Sequence, residues 1–239
     1  MNYFFAENIG QETSCKLDEK ESHHLIHVLR LHAGVKIMLL DGKGILYQAE
    51  IQEAGKKTAI VKILHKEIQA RNRNYNLHIA IAPVKSSERF DFFLEKATEI
   101  GIDEITPIIT QNSERRKFNP EKFNQTLIAA IKQSGNAWLP KLNEPVEFKK
   151  WIKDQTDISD QKFICHCRPG EKKLLSKSYS LLNNAIILIG PEGDFTEEEI
   201  TLANQFQFVS ATLGENRLRT ETAGILSCAI VQIINQFNS

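Results

Sequence analysis

Two short segments hold the residue types from which a ligand site is built. Residues 190–194 read Gly190-Pro191-Glu192-Gly193-Asp194 and follow the apolar run 185–189, which has the make-up of a buried central strand. Phe195 comes next, and then Thr196-x-x-Glu199, a capping box that opens a helix. Strand, glycine turn and helix start, in that order, create a ligand position at the carboxyl end of a strand in an open α/β sheet. Glycines there let backbone amides approach the ligand closely. Alone, the turn is equally readable as a plain β-turn.

The second segment, 213–223, repeats this grammar. The run 208–213 ends at Leu213 and Gly214, passes through Glu215-Asn216-Arg217-Leu218-Arg219, and enters Thr220-Glu221-Thr222-Ala223-Gly224 at the head of the last helix. Arg217, Arg219 and Glu221 thus sit at a strand-to-helix junction, a position suited to function. A surface ion pair between arginine and glutamate is the alternative.

Other reactive residues point elsewhere. His23, His24, His27 and His32 cluster in sequence, and His23 and His27 share a helix face, but neither the glutamate of His-Glu-x-x-His nor a distant third ligand accompanies them, so no metal is expected. Cys165-His166-Cys167 is not a zinc spacing and reads as part of a strand with Phe163, Cys165 and Cys167 on one face. Four cysteines are too few for a disulfide scaffold. No Gly-x-Gly-x-x-Gly opens a helix and no Gly-Lys-Ser/Thr loop occurs, which argues against a nucleotide-dependent oxidoreductase.

The elements that must position the two segments follow from periodicity. Up to about residue 70 the chain is β-rich: Val35, Ile37 and Leu39 alternate up to the turn 41–44, and Ile45, Tyr47, Ala49 and Ile51 alternate after it. A further strand covers 58–64, and a short helical patch, 21–31, places Leu25, Val28 and Leu29 on one side. Short strands with tight turns suggest a small barrel. The polar stretch 70–74 is the expected linker between a domain at 1–72 and one at 73–239. Beyond it strands alternate with helices, as in an α/β domain with a mostly parallel sheet. Leu77, Ile79 and Ile81 form a strand; Ser87 caps a helix carrying Phe90, Phe93, Leu94, Ala97 and Ile100, which Gly101 ends; 104–110 is a strand; and Asn119-Pro120 opens a helix with Phe123, Leu127, Ala130 and Ile131. Strands follow at 163–167, 185–189 and 208–213, and the last helix is expected to bury Leu226, Ile230, Ile233 and Phe237. Phe90, Phe92 and Phe93 are read mainly as core.

The 30 basic and 30 acidic residues cancel. A dedicated nucleic-acid binder is usually more basic, so RNA binding would require local clustering of charge or recognition by shape. No apolar run approaches the roughly 20 residues of a membrane span. The first residues show no basic region followed by an apolar stretch, and a cytoplasmic location is expected.

Taken together, the two segments resemble the SPOUT class of RNA methyltransferases, most nearly its branch that methylates N3 of a uridine in 16S rRNA. The matching residues are Ile189-Gly190-Pro191-Glu192-Gly193 and Leu213-Gly214 with Leu218-Arg219-Thr220-Glu221-Thr222-Ala223. Upstream matches are 95–101 with Pro107, Arg115-Arg116, Gln133-Ser134-Gly135, and His24-Leu25 with Val28-Leu29-Arg30, so the resemblance spans nearly the whole chain. Three departures stand out. Asp194 replaces a usual third glycine, Asn216-Arg217 stands where Arg-Ile is common, and the arginine that often precedes the Phe-Phe pair is absent.

The resemblance implies a PUA-like β-barrel at the amino terminus that helps hold RNA. It also implies a trefoil-knotted α/β domain, a homodimer, S-adenosyl-L-methionine as cofactor, and 16S rRNA or the small ribosomal subunit as partner, with no DNA or membrane. Ile189, Gly190, Pro191, Glu192, Gly193, Leu213, Gly214, Leu218, Thr222 and Ala223 are then the expected cofactor contacts. Uridine N3 carries a proton at neutral pH, so a base or a nearby cation is needed. Arg219 is expected to stabilise the uracil anion or bind phosphate, and Glu221 to orient Arg219 or accept the proton. Arg30, Arg115, Arg116 and Arg217 are candidates for RNA contact, a solvated loop being the alternative for 115–117. Two rivals stay open: another enzyme of the class, acting on tRNA, 23S rRNA or a ribose 2′-oxygen, and a non-catalytic RNA-binding assembly factor.

Overall fold

The computed structural model describes residues 2–7, 9, 13–55, 57–71, 73–114, 118–155 and 160–237, the side chain of Phe237 excepted. Contacts divide the chain into two units, Met1–Asn72 with Ile128–Leu139, and Arg73–Leu127 with Pro140–Ser239.

In the first unit the alternating runs become strands β1 (Tyr3–Phe5), β2 (Ser14–Lys16), β3 (Lys36–Leu40), β4 (Ile45–Ala54) and β5 (Ala59–Ile68), in sheet order β1-β3-β4-β5-β2. The β3–β4 hairpin turns on Asp41, whose Oδ1 accepts from the amides of Lys43 (2.7 Å) and Ile45 (2.9 Å). Phe4, Leu25, Ile37, Leu39, Ile51 and Val61 form the core. Helix α1 (Glu19–His23), capped by Asp18, runs directly into a π turn at His24–Val28, closed by the Leu29 amide on the His24 carbonyl (2.9 Å). This wider turn breaks the 3.6-residue register. Leu25 is buried, but Val28 and Leu29 face solvent, contrary to the single apolar side expected from the sequence.

The second unit alternates strand and helix. Its elements are β6 (Leu77–Ile81), α2 (Ser87–Ile100), β7 (Glu104–Ile109), α3 (Pro120–Ser134), β8 (Lys141–Leu142), β9 (Val146–Glu147), α4 (Phe148–Trp151), β10 (Gln161–Cys165), β11 (Lys173–Leu174), α5 (Leu175–Ser178), β12 (Ala185–Ile189), α6 (Glu197–Gln205), β13 (Val209–Thr212) and α7 (Thr220–Phe237). The last residues of α3 belong to the first unit. The sheet order is β11-β13-β10-β12-β6-β7-β8, with β9 beside β7, and every pairing is parallel. A strand order that departs from chain order puts β10 between the two strands that feed the glycine-bearing loops.

Three local expectations change. Ser86, not Ser87, holds the N-cap position of α2 and makes no side-chain cap hydrogen bond there, while Gly101 ends the helix in the left-handed region (φ 111°) as its spacing implied. Phe90 and Phe93 are buried, but Phe92, one step off their face, is half exposed. Helix α7 buries Gly224, Ser227, Cys228, Val231 and Asn235, whereas Leu226 and Ile230 are only partly covered and Ile233 is 51% exposed. The cause is close approach: a Cβ at Gly224 would stand 2.6 Å from the Phe93 ring on α2. Gly224 therefore faces α2, and the stripe Leu226–Ile230–Ile233 turns aside.

Candidate functional site

Strands β13, β10 and β12 end level with one another: Cys165 is opposite Ile189 on one side and Ala211 on the other. Three loops consequently leave the sheet side by side, and they enclose a cavity of about 570 Å³. Ile189, Gly190, Pro191, Glu192 and Asp194 line it from the first glycine loop. From the second come the residues at 211–220 and Ala223, and from the end of β10 come Cys165, His166, Cys167 and Lys172.

The turn after β12 is held from several sides. Gly190 has no room for a side chain, since a Cβ there would lie 3.0 Å from the Phe195 ring. Its carbonyl accepts from the buried Thr220 hydroxyl at the head of α7 (2.9 Å). Asn112, in the loop after β7, donates to the carbonyls of Gly193 (3.2 Å) and Asp194 (3.0 Å). Asp194 itself sits at φ 64°, which explains why glycine is usual there. Its carboxylate offsets that strain by accepting from the amides of Phe195 and Cys167, both at 2.8 Å. The aspartate thereby ties the turn to the end of β10. Directly after it, the capping box forms: the Glu199 amide meets Thr196 Oγ1 and the Thr196 amide meets Glu199 Oε2.

The loop after β13 is more open. Gly214, Glu215, Asn216, Arg217 and Arg219 are exposed. The Thr212 hydroxyl spans the turn, donating to the Gly214 carbonyl (2.8 Å) and accepting its amide (3.3 Å). Arg217 donates to the Glu192 carbonyl at 2.9 Å, joining the two loops across the cavity.

The expected site residues separate into three groups. Ile189, Gly190, Pro191, Glu192, Leu213, Gly214, Leu218, Ala223, Arg217 and Arg219 all line the cavity. Gly193, Thr222 and Glu221 do not. Glu221 is buried and faces Arg89 on α2, with Nε at 3.9 Å; no ion pair joins it to Arg219 among the described residues. Arg30 is exposed in the first unit with φ 53°, and Arg115 and Arg116 lie outside the described residues.

Sequence reading assigned no site role to the wall formed by Cys165, His166, Cys167 and Lys172. The strand ends at Cys165, two residues sooner than expected, because the Cys167 amide turns to the Asp194 carboxylate instead of continuing the sheet. Burial pushes the Cys165 thiol up to about 12, so it is inert as a nucleophile. His166 is held below its ordinary pKa, first by burial and then by the Lys172 charge, with Asp194 and the Arg168 backbone opposing. No motif marks these residues; only the position of β10 between β12 and β13 brings them in. Among the described residues no three His, Cys, Asp or Glu side chains gather as a metal site, and no helix is long and apolar enough to cross a membrane.

Comparison with known proteins finds two family models in tandem. Residues 17–64 match an RNA methyltransferase PUA domain, and residues 71–232 match an RNA methyltransferase domain. The ribosomal RNA small subunit methyltransferase E of Rickettsia conorii is 29% identical over 224 residues, covering 92% of this chain and 90% of that protein. A crystal structure of a probable rRNA methyltransferase from Porphyromonas gingivalis superposes with a TM-score of 0.92 at 34% identity, with all of both chains covered. A ribosomal RNA small subunit methyltransferase E from Neisseria gonorrhoeae, bound to S-adenosyl methionine, gives a TM-score of 0.88 at 28% identity over 98% of each chain.

Proposed function

The chain belongs to the RNA methyltransferase family, and on that premise we propose that it transfers a methyl group from S-adenosyl-L-methionine to N3 of one uridine in the 16S rRNA of the small ribosomal subunit. The observation that carries this reading is the cavity at the ends of β10, β12 and β13, with Arg219 in its wall. Its volume falls within the roughly 300–1,000 Å³ of small-molecule and cofactor sites. Its wall mixes backbone of the glycine turn with a buried imidazole that has no hydrogen bond of ordinary geometry, a donor set suited to a nucleoside-bearing ligand.

When bound, S-adenosyl-L-methionine would supply a methyl group on a sulfonium, the S–CH3 bond breaking as the N3–CH3 bond forms, with the N3 proton passing to water and the thioether S-adenosylhomocysteine leaving. Ile189, Gly190, Pro191, Leu213, Leu218 and Ala223 would hold the cofactor by shape and backbone groups, with Glu192 and Gly214 at its edges. Gly193 and Thr222 stand outside the wall, Gly193 held through its carbonyl by Asn112. Arg219 stabilises the uridylate as the proton departs, an electrostatic contribution aimed at charge that exists only along the reaction path. Glu221 acts as a positioning residue, setting Arg89 against the head of α7. Arg217 and Arg30 contact RNA phosphates, together with Arg115 and Arg116.

The working protein is a homodimer in this reading, a proposal supported by the apolar stripe Leu226–Ile230–Ile233 that α7 leaves partly uncovered. The knotted threading typical of the class and a cytoplasmic site of action belong to the same reading. The test is transfer of labelled methyl to small-subunit rRNA, followed by mass spectrometry of the product nucleosides. Appearance of 3-methyluridine supports the proposal. A methylated ribose, or transfer to tRNA in preference to rRNA, would replace it with another reaction of the class.

A further inference from the structure

His166, directly after β10, lines the cavity yet is only 8% exposed, and neither Nδ1 nor Nε2 has a hydrogen-bond partner of ordinary geometry among the described residues. Buried polar atoms without partners are few in native proteins, and each disfavours the fold. The neighbouring groups are already committed. Lys172 Nζ donates to the carbonyls of His166 (3.2 Å) and Arg168 (2.5 Å), and the Asp194 carboxylate accepts from the amides of Cys167 and Phe195. The Arg168 backbone lies close enough to favour the protonated ring but makes no hydrogen bond of ordinary geometry with it, so both nitrogens remain available to a ligand.

Chemistry narrows what the ring can take. Burial and Lys172 favour the neutral ring, in which one nitrogen donates and the other accepts. A hydroxyl, which both gives and receives a hydrogen bond, matches either nitrogen. A phosphate or carboxylate would instead favour a cation. A neutral ring also adds no repulsion towards a sulfonium. Metal ligation is disfavoured, since no three candidate ligands gather among the described residues.

We propose that His166 is a cofactor-contacting residue whose imidazole hydrogen-bonds a ribose hydroxyl of S-adenosyl-L-methionine. This rests on the cofactor assignment above. The same chemistry exists in the ribose of the RNA substrate, so the experiment must separate the two sources.

Calorimetry on the full chain with S-adenosylhomocysteine provides the readout, independent of methyl transfer. His166→Phe should raise Kd at least tenfold while the melting temperature holds or rises, because an unpaired polar group is removed. His166→Gln, which keeps a donor and an acceptor, should recover much of the loss. An S-adenosylhomocysteine analogue lacking both ribose hydroxyls should bind wild type and His166→Phe alike. Unchanged affinity in His166→Phe, or full wild-type affinity for the analogue, overturns the inference; the second measurement needs no variant to fold. Retained S-adenosylhomocysteine binding with weakened RNA binding also overturns it and assigns the ring to the RNA ribose. If the wild type binds no S-adenosylhomocysteine at all, the cofactor assignment fails together with it, an outcome distinct from loss of the His166 contact alone.

Discussion

Two loops face each other over one cavity, spelled with the same strand–turn–helix grammar, yet they are built to different standards of rigidity. The turn 190–194 is braced by Asn112, by Thr220 and by the Asp194 carboxylate reaching Cys167. The loop 213–219 has the Thr212 turn and one reach from Arg217 to Glu192, and most of its residues are exposed. The first loop is thus fixed in shape by its neighbours, and the second is the more exposed of the two. A prebuilt wall avoids ordering cost on binding, while an open loop can close over what has bound.

Arg219→Ala tests the comparison most severely. It removes a charge from the open loop and touches no brace, so methyl transfer should fall by about 10²–10³-fold with melting temperature and S-adenosylhomocysteine affinity little changed. Full activity in this variant would move the chemistry out of the second loop.

Acid titration comes next, as a control from outside both loops. His78 on β6 bonds Thr106 Oγ1 (2.7 Å) and meets the edge of Trp151, and burial lowers its pKa to about 4. A folded pKa below the unfolded value of about 6.5 means that stability is complete above pH 6.5 and is lost as pH falls towards 4. The loss should reach about 3 kcal/mol at and below that pH, measured by denaturant unfolding, and should shrink in His78→Gln. A pH dependence unaltered by that substitution would trace acid sensitivity to other groups, those lining the cavity included.

Thr220→Val then breaks a brace. It leaves the Gly190 carbonyl unpaired in a buried place and should lower unfolding stability by about 1–3 kcal/mol. Ser at the same position should restore most of it. An unaffected Thr220→Val protein would mean that the first loop is not held as its geometry implies.

Asp194 gives the smallest effect and the sharpest sign. Alanine keeps the strained φ and loses both carboxylate bonds; glycine loses the bonds but relieves the strain. Asp194→Gly should therefore be more stable than Asp194→Ala by about 1 kcal/mol, read from unfolding midpoints. The reverse order would remove strain from the account of this turn.

Much of the site was legible because its signals are local. The capping box at Thr196 and Glu199 forms as spelled, the hairpin turns at Asp41, and Gly101 closes its helix. Each depends on hydrogen bonds within a few residues. The π turn at His24–Val28, which buries Leu25, was hidden because the same apolar spacing suits an ordinary helix. The buried face of α7 was misread because size normally marks the core, whereas here the face is anchored at Gly224, where the Phe93 ring leaves no room for a side chain.

By themselves the residues pointed to the two loops that line the cavity and, through their joint spelling with the upstream matches, to the family they belong to. Glycine turns, caps and alternation act over short separations, and their free energies are decided by neighbours in sequence. What tertiary structure alone decided is who else stands in the wall. His166 comes from a strand that no motif distinguishes, Asn112 reaches a turn more than eighty residues ahead, and Glu221 faces Arg89 instead of Arg219. Those pairings depend on the order β13-β10-β12-β6, set by how a parallel sheet buries its apolar strands, and strand order is not written in any local run of residues.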